Sequence, residues 1–251
     1  MNSLANALER FNRKERNLLI RDILGCPGET LPLASDFCKR LAIAVGISKE
    51  FLHGAWWATD FHFDWLAGAL LTLMKGETPS PRDNDSKLVM GNQEDLDLVV
   101  VAHVPSEETP HHLILIEAKT HGHFATRQYL SKVSGIERLY AFYRELEKES
   151  PHKISFHYVL YSPTKPTKLV PMLLPWQSNV ETVPEHIKLT LPRSSILSVT
   201  RCNDKGVPDI EGHHWRCINL PPQEGANSEV SSFSSSDSPA DGQWLLNTSR
   251  F

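Results

Sequence analysis

The sequence predicts a mixed central sheet flanked by helices, an α/β or α+β arrangement preceded by a helical N-terminal segment. Three observations lead there. Two strongly apolar runs, LDLVVVAHV and LILIEAK, stand on either side of PSEETPH, whose residues are those of a turn. Residues 125–149 then carry Tyr129, Val133, Ile136, Tyr140 and Tyr143 on one helical stripe. A third β-rich run, KISFHYVLYS, follows from Lys153.

Taken in order, residues 4–24 place Leu4, Leu8, Phe11, Leu18 and Leu19 at helical spacing among charges, with a break near Arg13. Gly25, Pro27 and Gly28 stop that helix. Ser35 caps a second helix through Val45, Ser48 a third beginning KEFLHGAWW, and Asp60 a fourth, FHFDWLAGALLTLMK. Everything before residue 76 therefore reads as helical, with Trp56, Trp57, Phe61, Phe63 and Trp65 as core. The polar loop GETPSPRDNDS separates this segment from the strands. After KISFHYVLYS, the runs IKLTL and SILSVT read as short strands. From about Gly225 the chain becomes SEVSSFSSSDSPADG, too poor in apolar residues to order itself. The expected organisation is a helical segment 1–59, a core 60–224 and a disordered tail 225–251. No internal repeat is visible.

Composition narrows the function classes. With 251 residues and 40% hydrophobic content the chain can bury one sizeable core. A net charge of −4 gives no global positive field, although an enzyme acting on DNA need not be basic overall. MNSLANALERFNRKER has no apolar core of a signal peptide, and the longest apolar run, 65–74, is too short to span a bilayer. The expectation is a soluble, cytoplasmic protein without a membrane partner. Cys26, Cys38, Cys202 and Cys217 lack metal-type spacing and read as reduced, mostly buried thiols. His111–His112 and His213–His214 read as surface or loop pairs, since neighbours on a strand point to opposite faces. His121 and His123 form an HxH after the second strand.

The run LILIEAK is apolar on both faces until Glu117, as in a strand covered on both sides. Charges marking the exit from a core explain a lone E-x-K. The hairpin adds something. A register symmetric about Glu107 sets Asp97 opposite Glu117, and two carboxylates across a ladder repel. A divalent cation resolves that repulsion. Lys119 lies on the same face two residues on. Two hard oxygen ligands and an ammonium at a sheet end suit metal-assisted phosphodiester hydrolysis.

EDLDLVVVA followed by HHLILIEAK resembles the PD-(D/E)xK nuclease superfamily, with its restriction-endonuclease-like core. The likeness spans roughly residues 60–165. Asp97 matches the Asp of the second core strand, and Glu117 and Lys119 match the E-x-K of the third. The helix from about Ala125 and the strand from Lys153 match the elements that follow. Leu96 stands where the motif has Pro, and Asp95 competes with Asp97 from the extreme strand end.

The resemblance implies an α/β core and a Mg²⁺-dependent nuclease acting on DNA, with Mn²⁺ as substitute. Asp97, Glu117 and the Ala118 carbonyl would hold the metal, and Lys119 would serve the chemistry. An accessory acid on the first core helix would be Asp64, with Asp60 and Glu50 as alternatives. Arg127, Gln128 and Lys132 at the next helix start would contact DNA phosphates. The other reading is a catalytically inactive nuclease-fold module for binding or structure. The core carries no helicase, methyltransferase or zinc-finger motif, so a partner protein would supply targeting.

Overall fold

The computed structural model describes residues 3–24, 31–76, 81–91, 95–105, 107–120, 124, 126–167, 169, 174–176, 184–190, 196–220 and 246–247. The chain divides into two compact units, Met1–Lys188 and Leu189–Phe251.

The first unit begins with helices α1 (Leu4–Glu9), α2 (Glu15–Ile23), α3 (Ser35–Val45) and the single turn α4 (Glu50–His53). Strand β1 (Trp56–His62) leads into α5 (Phe63–Lys75). Strands β2 (Asp95–His103) and β3 (His111–Ala118) form the hairpin, and α6 (Thr126–Glu147), β4 (Ile154–Ser162) and β5 (Glu185–Lys188) complete the unit. The sheet order is β1-β2-β3-β4-β5. The first three strands run antiparallel, while β3–β4 and β4–β5 pair in parallel. The protein is thus α/β with a mixed central sheet flanked by helices.

Period two sends alternate side chains of the hairpin to two separate cores. Val99, Val101, Leu113 and Leu115 pack with Leu4 and Leu8 of α1, Leu66 and Leu70 of α5, and Val133 and Ile136 of α6. Val100, Ala102, Ile114 and Ile116 pack with Cys38 and Leu41 of α3 and with Leu52 of α4. Residues Leu113 to Ile116 are wholly buried, so each contributes about 1.5–3 kcal/mol of burial. The pairs Leu98↔Ile116 and Val101↔Leu113 give the hairpin the register expected from its sequence.

Four expectations need correction. Residues 56–62 are not helical: they form β1, an edge strand antiparallel to β2. Gly54 ends the short helix before it, and aromatic and Thr side chains favour the extended backbone there. Asp60 is consequently a strand residue with φ 52, and α5 starts at Phe63 with His62 as its N-cap. Ser35 lies inside α3, whose N-cap is Ala34, and Ser48 bonds the Glu50 side chain without capping α4. Leu18 and Leu19 face solvent, because α2 turns Asn17 and Arg21 inward. Finally, His111 and His112 lie on β3 and not in a loop, and His112 is buried. His213 is exposed, and His214 begins a strand of the second unit.

In that unit β6 (Ile196–Cys202), β7 (His214–Leu220) and β8 (Leu246–Asn247) make an antiparallel sheet. The Ser-rich stretch, Cys26, His121 and His123 lie outside the described residues. Cys38 and Cys202 are buried free thiols, and Cys217 is an exposed one.

Candidate functional site

The β2–β3 ladder closes at Leu98↔Ile116, so Asp97 and Glu117 are the next residues on each strand. Both leave the sheet on the face covered by α5 and α6. Here the Asp97 side chain takes over from the backbone: its Oδ2 accepts from the Ala118 amide at 2.6 Å. Lys119 continues β3 towards β4, its amide donating to the Tyr161 carbonyl at 2.9 Å.

Glu117 is 3% exposed. Its Oε1 accepts from Gln128 Nε2 at 3.3 Å. Its Oε2 has no hydrogen bond and faces Lys132 Nζ at 3.4 Å. Burial first, then the neighbouring Asp97 charge, push the Glu117 carboxyl up to about 7, against the opposing pull of Lys132 and Lys119. The repulsion expected from register is therefore present in the folded protein, on an acid that holds its charge only in part.

Lys132 was not foreseen in this role. It is buried, donates to the Asp95 carbonyl, pairs with Glu117 and lies 5.7 Å from the Phe63 ring centroid. It is thus turned into the site and not out to a phosphate. Its spacing held the clue, since position 132 falls on the inward stripe of α6 with Tyr129, Val133 and Ile136. Gln128 reaches Glu117, while Arg127 is exposed on the first turn of α6.

Asp64 does not join Asp97 and Glu117. From the first turn of α5 it accepts the amides of Met90 and Gly91, at 3.0 and 2.9 Å, and ties down the segment before β2. Asp95 is also engaged, by Lys14 at 2.6 Å and His62 at 2.5 Å, which leaves Asp97 as the acid opposite Glu117. Glu50 is held by Ser48. Asp60 lies between the pairs Thr59↔Leu98 and Phe61↔Leu96, which sets it on β1 opposite Asp97 of β2. Its carboxylate meets Arg16 at 3.2 Å, and its left-handed φ of 52 is a backbone strain carried at the sheet end.

Among the described residues no three His, Cys, Asp or Glu side chains converge on one point. Two carboxylates, one with an oxygen lacking a hydrogen-bond donor, fit a hard cation that keeps most of its water, as Mg²⁺ does, better than a closed protein cage. Among those residues, too, no helix is long and apolar enough to cross a membrane. No family model, curated protein or solved structure matches the chain.

Proposed function

We propose that the chain is a divalent-metal-dependent nuclease of the PD-(D/E)xK type, built on a restriction-endonuclease-like core and hydrolysing DNA phosphodiesters. The observation that carries this reading is the buried Glu117, raised to about 7 beside Asp97, with Lys119 two residues on. A carboxylate so placed is unfavourable in the metal-free protein and becomes favourable next to a cation. Asp97 and Glu117, with the Ala118 carbonyl, hold Mg²⁺ in this proposal. The bound ion would supply an activated water and neutralise phosphate charge. Lys119, an ammonium with donors and no acceptor, orients the attacking water or stabilises charge developing on phosphate oxygen. Arg127 meets the DNA backbone from the solvent side of α6, and Gln128 orients Glu117.

The test is cleavage of duplex, single-stranded and branched DNA and of RNA, with Mg²⁺ or Mn²⁺ and with EDTA, beside calorimetric titration of the metal. Asp97→Ala and Glu117→Ala should abolish both metal binding and cleavage. Lys119→Ala should abolish cleavage and keep most of the metal affinity. Cleavage that survives Glu117→Ala and Lys119→Ala would move the active site elsewhere. A second reading, an inactive nuclease-fold binding module, is favoured by Lys132, whose ammonium already compensates Glu117 without a cation. DNA binding with neither metal uptake nor cleavage would select it.

A further inference from the structure

Neighbouring histidines on a strand diverge, whereas register partners on adjacent strands converge. His111 and His112 point to opposite faces of β3, and His112 is engaged by Glu107 and His157. Across the ladder His111 faces His103, the last residue of β2. Their ring centroids lie 4.9 Å apart, with the planes tilted by 35°. His103 is exposed and His111 half-buried. Neither ring makes a hydrogen bond or an ion pair among the described residues, so their nitrogens are uncommitted.

We infer that His103 and His111 form a clamp for one first-row transition-metal dication at the turn end of the hairpin. The ring spacing gives the number of ligands. A metal–nitrogen bond of about 2.0–2.1 Å puts the ion roughly 3.2 Å from a ring centroid, so two ligands about 90–110° apart hold their centroids about 4.5–5.3 Å apart. The His103–His111 pair fits that span. His152 does not, because its ring stands 6.2 Å from that of His111, which would demand an angle of about 150°. The clamp therefore has two protein ligands and completes its shell with water, in keeping with the lack of any three-ligand cluster among the described residues.

Ligand chemistry gives the class of ion. Imidazole nitrogen suits Cu²⁺, Ni²⁺ and Zn²⁺ and not Mg²⁺, and affinity peaks at Cu²⁺ along the first row. A ligating nitrogen must be unprotonated. Burial holds His111 down to about 4, and His103, His152 and His112 act in the same direction, so the ion displaces no proton from His111 at neutral pH. The clamp is also remote from the carboxylates proposed for Mg²⁺. Six residues of each strand separate His103 from Asp97 and His111 from Glu117, a span of about 20 Å. It stands whether or not that site hydrolyses DNA.

Calorimetric titration of the full chain with Cu²⁺, Ni²⁺ and Zn²⁺ in saturating Mg²⁺ tests this, beside electron paramagnetic resonance of the Cu²⁺ form. One equivalent should bind, tightest for Cu²⁺, with two imidazole nitrogens coupled to the copper. His103→Ala should weaken uptake by at least about tenfold and leave one coupled nitrogen, since losing even a group that only supports a ligand costs that much. The exposed position of His103 lets that variant fold as the wild type does. His111→Gln should act in the same way, whereas His152→Ala and Glu117→Ala should leave uptake unchanged. A chain that takes up none of the three ions overturns the inference. So does uptake that survives His103→Ala undiminished or is lost with Glu117→Ala, since the ion would then sit elsewhere.

Discussion

Glu117 and Lys132 share a buried environment in which one Glu117 oxygen has no hydrogen bond while Lys132 also donates to the Asp95 carbonyl, and their responses to substitution should differ. With the Glu117 carboxyl raised to about 7, a proton occupies it about half the time at that pH. Glu117→Gln should therefore leave metal-free stability within about 1 kcal/mol of wild type, while abolishing the rise in melting temperature produced by Mg²⁺. Lys132→Met removes the only cation paired with Glu117 among the described residues and should destabilise the metal-free protein by about 3 kcal/mol. Mg²⁺ should recover part of that loss, because the ion replaces the missing positive charge. Denaturant titrations of both variants with and without Mg²⁺ check these outcomes, and equal losses with and without metal for Lys132→Met would count against a cation at Glu117.

Histidines at the opposite end of the hairpin make stability depend on pH. His112 Nε2 meets Glu107 Oε2 at 2.9 Å and so carries the proton there, which leaves Nδ1 to accept from His157 Nε2 at 3.0 Å. Burial holds His157 down to about 4, and the neighbouring His112 acts in the same direction. Burial and the charges of His103, His152 and His112 hold His111 at about 4 as well. The ordinary value is 6.5, so between there and about 4 the unfolded chain binds protons that the folded chain refuses. Stability should fall as pH drops through that window and level off below it. His157→Gln should flatten the slope in urea titrations between pH 7 and 4.

At the scale of elements, what was legible followed from period and turn chemistry. The hairpin register, and with it the juxtaposition of Asp97 and Glu117, could be read because the turn residues centre on Glu107 and so fix which positions face each other. The stripe of α6 was legible from its helical period, and the run from Lys153 was legible as a strand, though not as one parallel to β3. Strand β1 was not. WWATDFH carries as many apolar residues as a helix start, and its alternation breaks at Asp60, whose left-handed backbone no local pattern announces. The inward face of α2 was hidden because Arg21 is buried through Glu9 of α1, which also accepts from Trp56 of β1. Asp64 was misplaced for a related reason: a helix-start acid has several uses, and here the amides at 90–91 claim it. Gly68 illustrates a constraint invisible in one dimension. A methyl group there would stand 2.6 Å from the Phe11 ring. Gly68→Ala should therefore displace Phe11 and cost about 1–3 kcal/mol, read as a lower unfolding midpoint.

At the scale of the molecule, the two units are unequal in what holds them together. The first contains the whole five-stranded sheet, both buried clusters and every residue of the proposed metal site. The second is a three-stranded antiparallel sheet whose β6 leaves Leu197 and Val199 exposed by 62% and 67%. A sheet of that size that buries little apolar surface among its described residues gains little to offset its ordering entropy. Residues 1–188 should thus fold alone, unfold cooperatively and bind Mg²⁺ with the affinity of the full chain. Gly212 offers a matching lesion in the second unit, because any side chain there would collide with the Cys202 carbonyl and the start of the turn between β6 and β7. Gly212→Val should remove the signal of the second unit while leaving the main unfolding transition and metal binding of the first in place. Circular dichroism melts and calorimetric Mg²⁺ titrations of residues 1–188 and of full-length Gly212→Val make the comparison. Loss of cooperative unfolding in the fragment would show that the first core depends on the second unit.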